Sequence, residues 1–411
     1  MPRIMLLALF LTLWPAAASA EDRALDLAIG DPAKKERVAP LLLDAITDTA
    51  SGELLTPRAL APRLAGVSLL FVGESHDSVA SHQVQKRVIE ELLAAGRKVM
   101  IGLEMMPYPK QQALDHWSAG LLTEEGFLTL GQWYDSWGYH WHYYRDIFLL
   151  ARDHHLPMVA LNAPREVISS VRKKGFKDLT PEEAAHIPTT IDLGSEDHRT
   201  LIRTFFEGDD AAHAAMSPEQ FESMFAAQCT WDATMAFHAT EALAKRGEPG
   251  SILVVLVGAG HVVYGMGLER QARQWLDPAR HPMASLVPIS LPADGTAPVV
   301  RASVASFLWG VAAETHPPHP RFGFSTSSSP GQSARTILLL EEGGPAEAAG
   351  VAVGDLVLAI DGTPVPDRET LNRLMASKQW GDEVVLTIRR GEETKNLTLL
   401  LRRTMSTKPG A

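Results

Sequence analysis

Four short apolar runs without polar alternation constrain this chain more than any other feature. They lie at residues 67–72, 98–103, 157–161 and 252–257. A strand that is apolar on both sides has to be covered on both sides, which is the signature of a parallel sheet between helices. Helical spacing fills the intervals at 79–95 and 144–154, and 284–291 offers a fifth strand. The fold class expected is therefore α/β, a mostly parallel sheet flanked by helices. The stretch 181–246 carries no strand pattern and reads as several helices, a helical insertion over about 180–246.

Composition narrows the partners. Lys plus Arg number 38 against 49 Asp plus Glu, a net charge of −11, so a phosphate backbone would be repelled and nucleic acid is not expected. The single cysteine, Cys229, excludes an internal disulfide and a Cys-rich metal centre, and its helical setting reads as a small buried hydrophobe. At the start, Met1-Pro2-Arg3, an apolar run over 4–14 and Ala18-Ser19-Ala20 read as a signal peptide at 1–20, cleaved between Ala20 and Glu21. No later stretch is apolar for long enough to span a bilayer. A soluble periplasmic or secreted product is the expectation. Pro, Ser and Gly crowd residues 317–320 and 325–330, after which short strands at 336–340, 356–360, 383–389 and 396–401 surround one helix at 368–377. That is a small, mostly β unit behind a linker, in which His316 and His319 are expected to be solvated.

Each long strand ends in chemistry. The first leads into Gly73-Glu74-Ser75-His76, the second into Glu104, the third into Asn162-Ala163-Pro164-Arg165 and the fourth into Gly258-Ala259-Gly260-His261. Ligands of open α/β sheets bind beyond the carboxyl ends of the strands, so these groups are candidates together. Glu74, His76, Glu104 and His261 could hold a divalent transition metal, or run acid–base chemistry without one, or satisfy loop N–H groups. A second concentration is the run 132–145, which holds four of the six tyrosines, Tyr134, Tyr139, Tyr143 and Tyr144, and three of the nine tryptophans. Flat rings with phenols and imidazoles suit haem, ligated by Tyr144, Tyr143, Tyr139 or His140, with Arg145 to meet a propionate. The alternative is a helix start whose aromatics pack on the sheet.

In order along the chain, Gly73-Glu74-Ser75-His76 with Gln83 and Gln85, Gly102-Leu103-Glu104-Met105, and Leu114-Asp115 with Trp117 resemble the ChaN-like haem-binding uptake family of the Tiki superfamily. So do Tyr144-Arg145, the Leu161–Arg165 segment, Gln228 with Trp231-Asp232 and Met235-Ala236, and Gly258-Ala259-Gly260-His261. Over about 50–312 the resemblance implies an α/β domain with a helical subdomain that binds haem and its iron through a tyrosine. It further implies a role in iron uptake at the bacterial envelope, as a homodimer with stacked haems. Tyr144-Arg145 matches the family's Tyr-Arg best, and Arg165 joins the cofactor-binding candidates. Unlike many members, this chain has no lipid-attachment cysteine. The wider superfamily includes metal-dependent peptidases and erythromycin esterase-like hydrolases, similar at the Glu-x-His, Glu and His positions. The alternative function is accordingly a metal-dependent hydrolase using Glu74, His76, Glu104 and His261. Residues 321–402 resemble a PDZ domain of the HtrA type, through the run Gly344 to Val351, Gly354-Asp355-Leu356-Val357 and Ile360-Asp361-Gly362. There Phe322-Gly323-Phe324 stands at the carboxylate loop, and a peptide would add as a strand between Phe324 and a helix bearing Leu371 and Leu374. The organisation expected is a signal peptide at 1–20, a ChaN-like domain at 21–312, a Pro/Ser-rich linker at 313–335 overlapping the next unit, and a PDZ domain at 321–402.

Overall fold

The computed structural model describes residues 20–206, 216–294, 297–327 and 334–403, so the expected signal peptide lies outside the described residues apart from Ala20. The larger sheet is built from β1 (Ile46–Asp48), β2 (Glu53–Leu55), β3 (Leu69–Glu74), β4 (Lys98–Pro107), β5 (Met158–Asn162), β6 (Ser251–Gly258), β7 (Met283–Leu291) and β8 (Phe307–Ala312). Their order is β2-β1-β8-β7-β3-β6-β4-β5. From β8 to β5 every pairing is parallel, and the antiparallel β1–β2 hairpin closes the β8 edge. The five strands read from the sequence are β3 to β7. The hairpin strands have three residues each, too few for any periodicity to register.

Every residue of β3 and β6 is buried, as two-sided coverage requires. Successive side chains of β3 part company: Leu70 and Val72 join the core that holds Trp117, Trp133, Tyr144 and Phe148, whereas Leu69 and Phe71 join the one that holds Met235, Ala236 and Leu243. The first core is covered by α1 (Val79–Ala94), α2 (Trp133–Ser136) and α3 (Arg145–Asp153), and the second by α4 (Pro218–Arg246). The stretch 181–246 holds several helices and no strand among the described residues: Pro181–Ala184 and Glu196–Phe206 precede α4, which runs unbroken for 29 residues. A Ser217–Gln220 capping box starts it, and no Gly or Pro interrupts it after Pro218. Chain order makes the site: β3, β4 and β5 progress to one side, then β6 returns between β3 and β4. The carboxyl ends of these three strands are thereby brought side by side at a topological switch point.

The smaller sheet contains β9 (Phe324–Ser327), β10 (Arg335–Leu340), β11 (Leu356–Ile360), β12 (Thr363–Pro364), β13 (Glu383–Arg390) and β14 (Glu393–Leu400), ordered β14-β13-β11-β10-β9 with β12 on β11. Helix α5 (Arg368–Ala376) closes its core through Leu371, against Phe322, Val357, Leu386 and Ile388. Gly323 has a φ of 78°, and a Cβ there would stand 3.1 Å from Pro345, so the Phe322-Gly323-Phe324 turn requires glycine.

The chain between the two sheets is strapped to the larger one. Glu314 accepts from the Ser78 hydroxyl at 3.1 Å and the Ala80 N–H at 2.5 Å, capping α1. Arg321 pairs with Asp77, and the Trp380 indole donates to the Pro317 carbonyl at 2.9 Å. Helix α5 lies on α2: Arg368 donates to the carbonyls of Asp135 and Trp137 at 2.9 and 3.0 Å, and Asn372 to that of Tyr134 at 2.7 Å. His319, expected in solvent, instead stacks on His140 with ring centroids 3.6 Å apart and planes within 2°. The Pro-rich segment folds back over the aromatic run, which the local sequence could not indicate.

Candidate functional site

Beyond the ends of β3, β4 and β6 lie two carboxylate–imidazole couples. Glu74 is the last residue of β3 and stands in register with Gly258 of β6. Its carboxylate is fully enclosed: Oε1 accepts from His76 Nδ1 at 2.8 Å and the Tyr144 hydroxyl at 2.6 Å, and Oε2 from Gln85 Nε2 at 2.6 Å. His82 stands behind it, its Nδ1 3.5 Å from Oε2 and its ring against Tyr144. Burial alone would raise this carboxyl, but the neighbouring His82 and His76 charges and the donated bonds outweigh it and hold Glu74 at about 2.

The second couple depends on an irregularity in β4. The register slips between Leu103 and Pro107, four residues passing two of β5. The bulge turns Glu104 out of the ladder, and Asn162 Nδ2 takes up its carbonyl at 2.8 Å. The freed carboxylate accepts from the Gly258 N–H at 2.7 Å and lies 3.4 Å from His261 Nε2. On its other side His261 donates from Nδ1 to Asp232 of α4 at 2.5 Å. Burial pushes this imidazole down, but the carboxylates of Glu104 and Asp232 overcome that and raise it to about 10. Gly258 lets the couples meet, since a Cβ there would lie 2.8 Å from the His76 ring. The expected convergence of Glu74, His76, Glu104 and His261 is therefore present, mediated by residues that spacing alone did not single out: His82, Tyr144 as a hydrogen-bond donor, and Asp232. Asp232 is backed in turn by buried His198 and Cys229, whose thiol burial and the Asp232 charge push up to about 12.

Among the described residues, the set of three His, Cys, Asp or Glu side chains whose donor atoms gather within 4.8 Å is His140, His142 and His319, and the strand-end quartet forms no such set. Glu74 is bonded to His76, Tyr144 and Gln85, and Glu104 to the Gly258 N–H beside His261, so these couples tie the strand ends together. The His76 side chain is 26% exposed, its Nε2 has no hydrogen bond among the described residues, and Glu74 behind Nδ1 raises its basicity.

The tyrosines divide sharply. Tyr144 is fully buried, with its hydroxyl on Glu74 and its ionisation pushed far up by burial and that carboxylate. Its neighbour Arg145 is bound on Glu124 at 2.7 and 2.6 Å. The pair that best matched the family's Tyr-Arg is thus bonded inward to Glu74 and sideways to Glu124, with His82 of α1 against the Tyr144 ring. Tyr143 is nearly buried, and burial pushes it up to about 12. Tyr139 is partly buried, its hydroxyl has no hydrogen bond among the described residues, its ring lies 5.0 Å from that of His76, and burial with the Glu104 and Glu74 charges raises its phenol. Its backbone is fixed, the carbonyl accepting from Trp133 Nε1 at 2.9 Å. His140 is half-buried and held near 4 by burial and the adjacent His319. Arg165, the first residue of the helix Arg165–Lys174 that follows β5, is exposed and has no hydrogen bond or ion pair among the described residues. In the smaller unit Phe322 and Leu371 are core, Leu374 packs against them, and Gly323 and Phe324 open the edge strand β9.

Residues 320–401 match the PDZ domain model. Among solved structures the chain is similar to ChaN of Campylobacter jejuni, a structure of cofacial haem binding, at 14% identity and a TM-score of 0.49, covering 66% of this chain and 98% of that one. An HtrA-type protease, AlgW with a decapeptide, is 20% identical with a TM-score of 0.20 over 21% of this chain and 30% of that one. The HtrA3 PDZ domain bound to a phage-derived ligand is 17% identical with a TM-score of 0.18 over 20% and 83%. The chain thus spans under a third of that protease. No curated protein matches it. Residues 60–271, more than half of the chain, match the model for haem-binding uptake, Tiki superfamily, ChaN, and the chain belongs to that family.

Proposed function

We propose that this protein carries ferric haem in iron uptake at the cell envelope, taking it at the carboxyl edge of the parallel sheet through the phenol of Tyr139. The observation that carries this reading is that Tyr139, alone among Tyr139, Tyr143 and Tyr144, combines partial exposure with a hydroxyl that has no hydrogen bond among the described residues, its ring 5.0 Å from that of His76. Tyrosine phenolate is an established ligand of haem iron. Buried Tyr144 would first have to leave the Glu74 carboxylate. Charge supports the same edge: Arg368 is drawn down to about 10 by burial and by the charges of Arg165 and Arg335, against the opposing Asp135 and Glu166. Haem propionates would relieve that crowding. His76, held by Glu74, would accept the phenol proton or donate to the bound phenolate, while the strand-end couples keep it oriented.

In this reading the leader at 1–20 exports the chain and is removed before Glu21. No described helix is long and apolar enough to cross a membrane. The domains fall at 21–312 and 321–402, with a linker over 313–335 whose Glu314, His319 and Arg321 contact the larger domain. The PDZ domain recruits a peptide along β9, whose outer edge is unpaired in the sheet order, between Phe324 and the α5 side chains Leu371 and Leu374. Two copies would face one another across their haems. Titrating the protein with haemin tests the assignment: a saturable Soret change at fixed stoichiometry is expected, and its absence overturns it.

A further inference from the structure

Where the aromatic run meets the strap, three imidazoles gather from two parts of the chain. His140 and His142 flank Trp141 in the larger domain, and His319 belongs to the segment leading into the PDZ domain. The ring centroids of His140 and His142 are 4.7 Å apart and those of His142 and His319 5.6 Å, with one donor nitrogen of each within 4.8 Å of the others. We infer that His140, His142 and His319 form a binding site for a divalent transition cation of the zinc class, which clamps the PDZ domain onto the haem-binding domain.

Three features support a ligand set rather than a surface coincidence. The first is the tautomer. His140 Nε2 lies 2.9 Å from the Ala376 carbonyl, which can only accept, so Nε2 carries the proton and Nδ1 keeps its lone pair. A metal-binding imidazole is ordinarily held in this way, its second nitrogen donating to a carbonyl or carboxylate. The second is distance. Tetrahedral zinc with bonds of roughly 2.0–2.1 Å needs its nitrogens about 3.4 Å apart, a closure that rotamer changes of exposed His142 and half-buried His319 can supply. The cost is two contacts: the His142 N–H, which now donates to His140 Nδ1 at 3.1 Å, would pass to solvent, and His319 would turn out of its stack on His140. The third is chemistry. Three neutral imidazoles with an open fourth position suit zinc, copper or nickel and not calcium or magnesium. Ala376 ends α5, the helix that flanks the PDZ groove, so the ion would tie the groove, the strap and the loop carrying Tyr139 into one unit.

The inference does not rest on haem binding. The metal-free, haem-free full-length protein is titrated with Co(II) alone, followed by Zn(II). One equivalent of Co(II) should give the ligand-field bands of a four-coordinate site, and Zn(II) should erase them. His319→Ala and His142→Ala should each weaken binding at least about tenfold, while His76→Ala, at the strand ends, keeps the bands. Both substituted side chains lie outside the cores, so unchanged circular dichroism separates loss of a ligand from loss of fold. Zn(II) should also slow proteolysis within 313–335 in the wild type and not in His319→Ala. Absence of the bands, their survival in both histidine variants, or their loss in His76→Ala would overturn the site. Zinc binding without protection would overturn the clamp.

Discussion

The strand-end cluster and the aromatic loop in front of it are built from the same residue types and do opposite things. Behind, Tyr144 and His76 donate to Glu74, and His261 lies between Asp232 and Glu104, two separate buried groups whose polar atoms face inward. In front, Tyr139, His76 and Arg165 are positioned by well-packed backbone yet keep their polar ends unspent. The difference teaches where a ligand can bind: a buried polar network specifies and stiffens a scaffold, whereas capture of haem needs a donor still available to it. The two regions should therefore respond differently to substitution.

The largest effect should come from opening the sealed side. Asp232→Asn leaves the His261 imidazolium short of its closest counter-ion in a dry interior, and denaturant unfolding should report a loss of about 3–5 kcal/mol. A loss below about 1 kcal/mol would mean that this couple is solvated and the contrast is false. Acid and alkali probe the same side without mutation. Glu74 sits at about 2 against an ordinary 4.5, so its contribution is complete above 4.5 and disappears as the pH falls towards 2. His261 sits at about 10 against 6.5, so its contribution is complete below 6.5 and disappears as the pH rises through 10. Unfolding midpoints should plateau between 4.5 and 6.5 and fall on both sides, with Glu74→Gln flattening the acid limb.

Much of this was legible in the sequence, and the boundary of legibility has a physical reason. Doubly apolar runs named β3 to β7 because a strand covered on both faces has no room for polar residues. The motifs Gly73 to His76 and Gly258 to His261 located the edge, since chemistry at the ends of parallel strands converges by topology. What the sequence could not supply was direction. Tyr143 and Tyr144 are neighbours of identical chemistry, and the tertiary packing of His82, Trp133 and Trp137 around the Tyr144 ring accompanies its turn to Glu74. His319 lies far along the chain from His140, in a segment whose composition says linker. Its docking depends on Glu314, Arg321 and Trp380 holding the strap at separate points.

Smaller effects sharpen the contrast further. Tyr144→Phe removes a charge-assisted bond to Glu74 and should cost about 1.5–3 kcal/mol of stability. At the domain seam the Arg373–Glu125 pair is exposed, so Arg373→Ala should change stability by less than about 1 kcal/mol. A larger change there would show that the seam is part of the folding core.

The most direct test of the account is a haemin titration of the wild type, Tyr139→Phe and Tyr144→Phe side by side, followed by absorbance. Phe keeps each ring, so packing is preserved in both variants. The account predicts that Tyr139→Phe weakens haem binding at least about tenfold and changes the ferric spectrum. Tyr144→Phe should bind with wild-type affinity and spectrum while unfolding more easily. The reverse pattern, with Tyr144→Phe abolishing the spectrum and Tyr139→Phe leaving it intact, would contradict the assignment and place the ligand inside the sealed cluster.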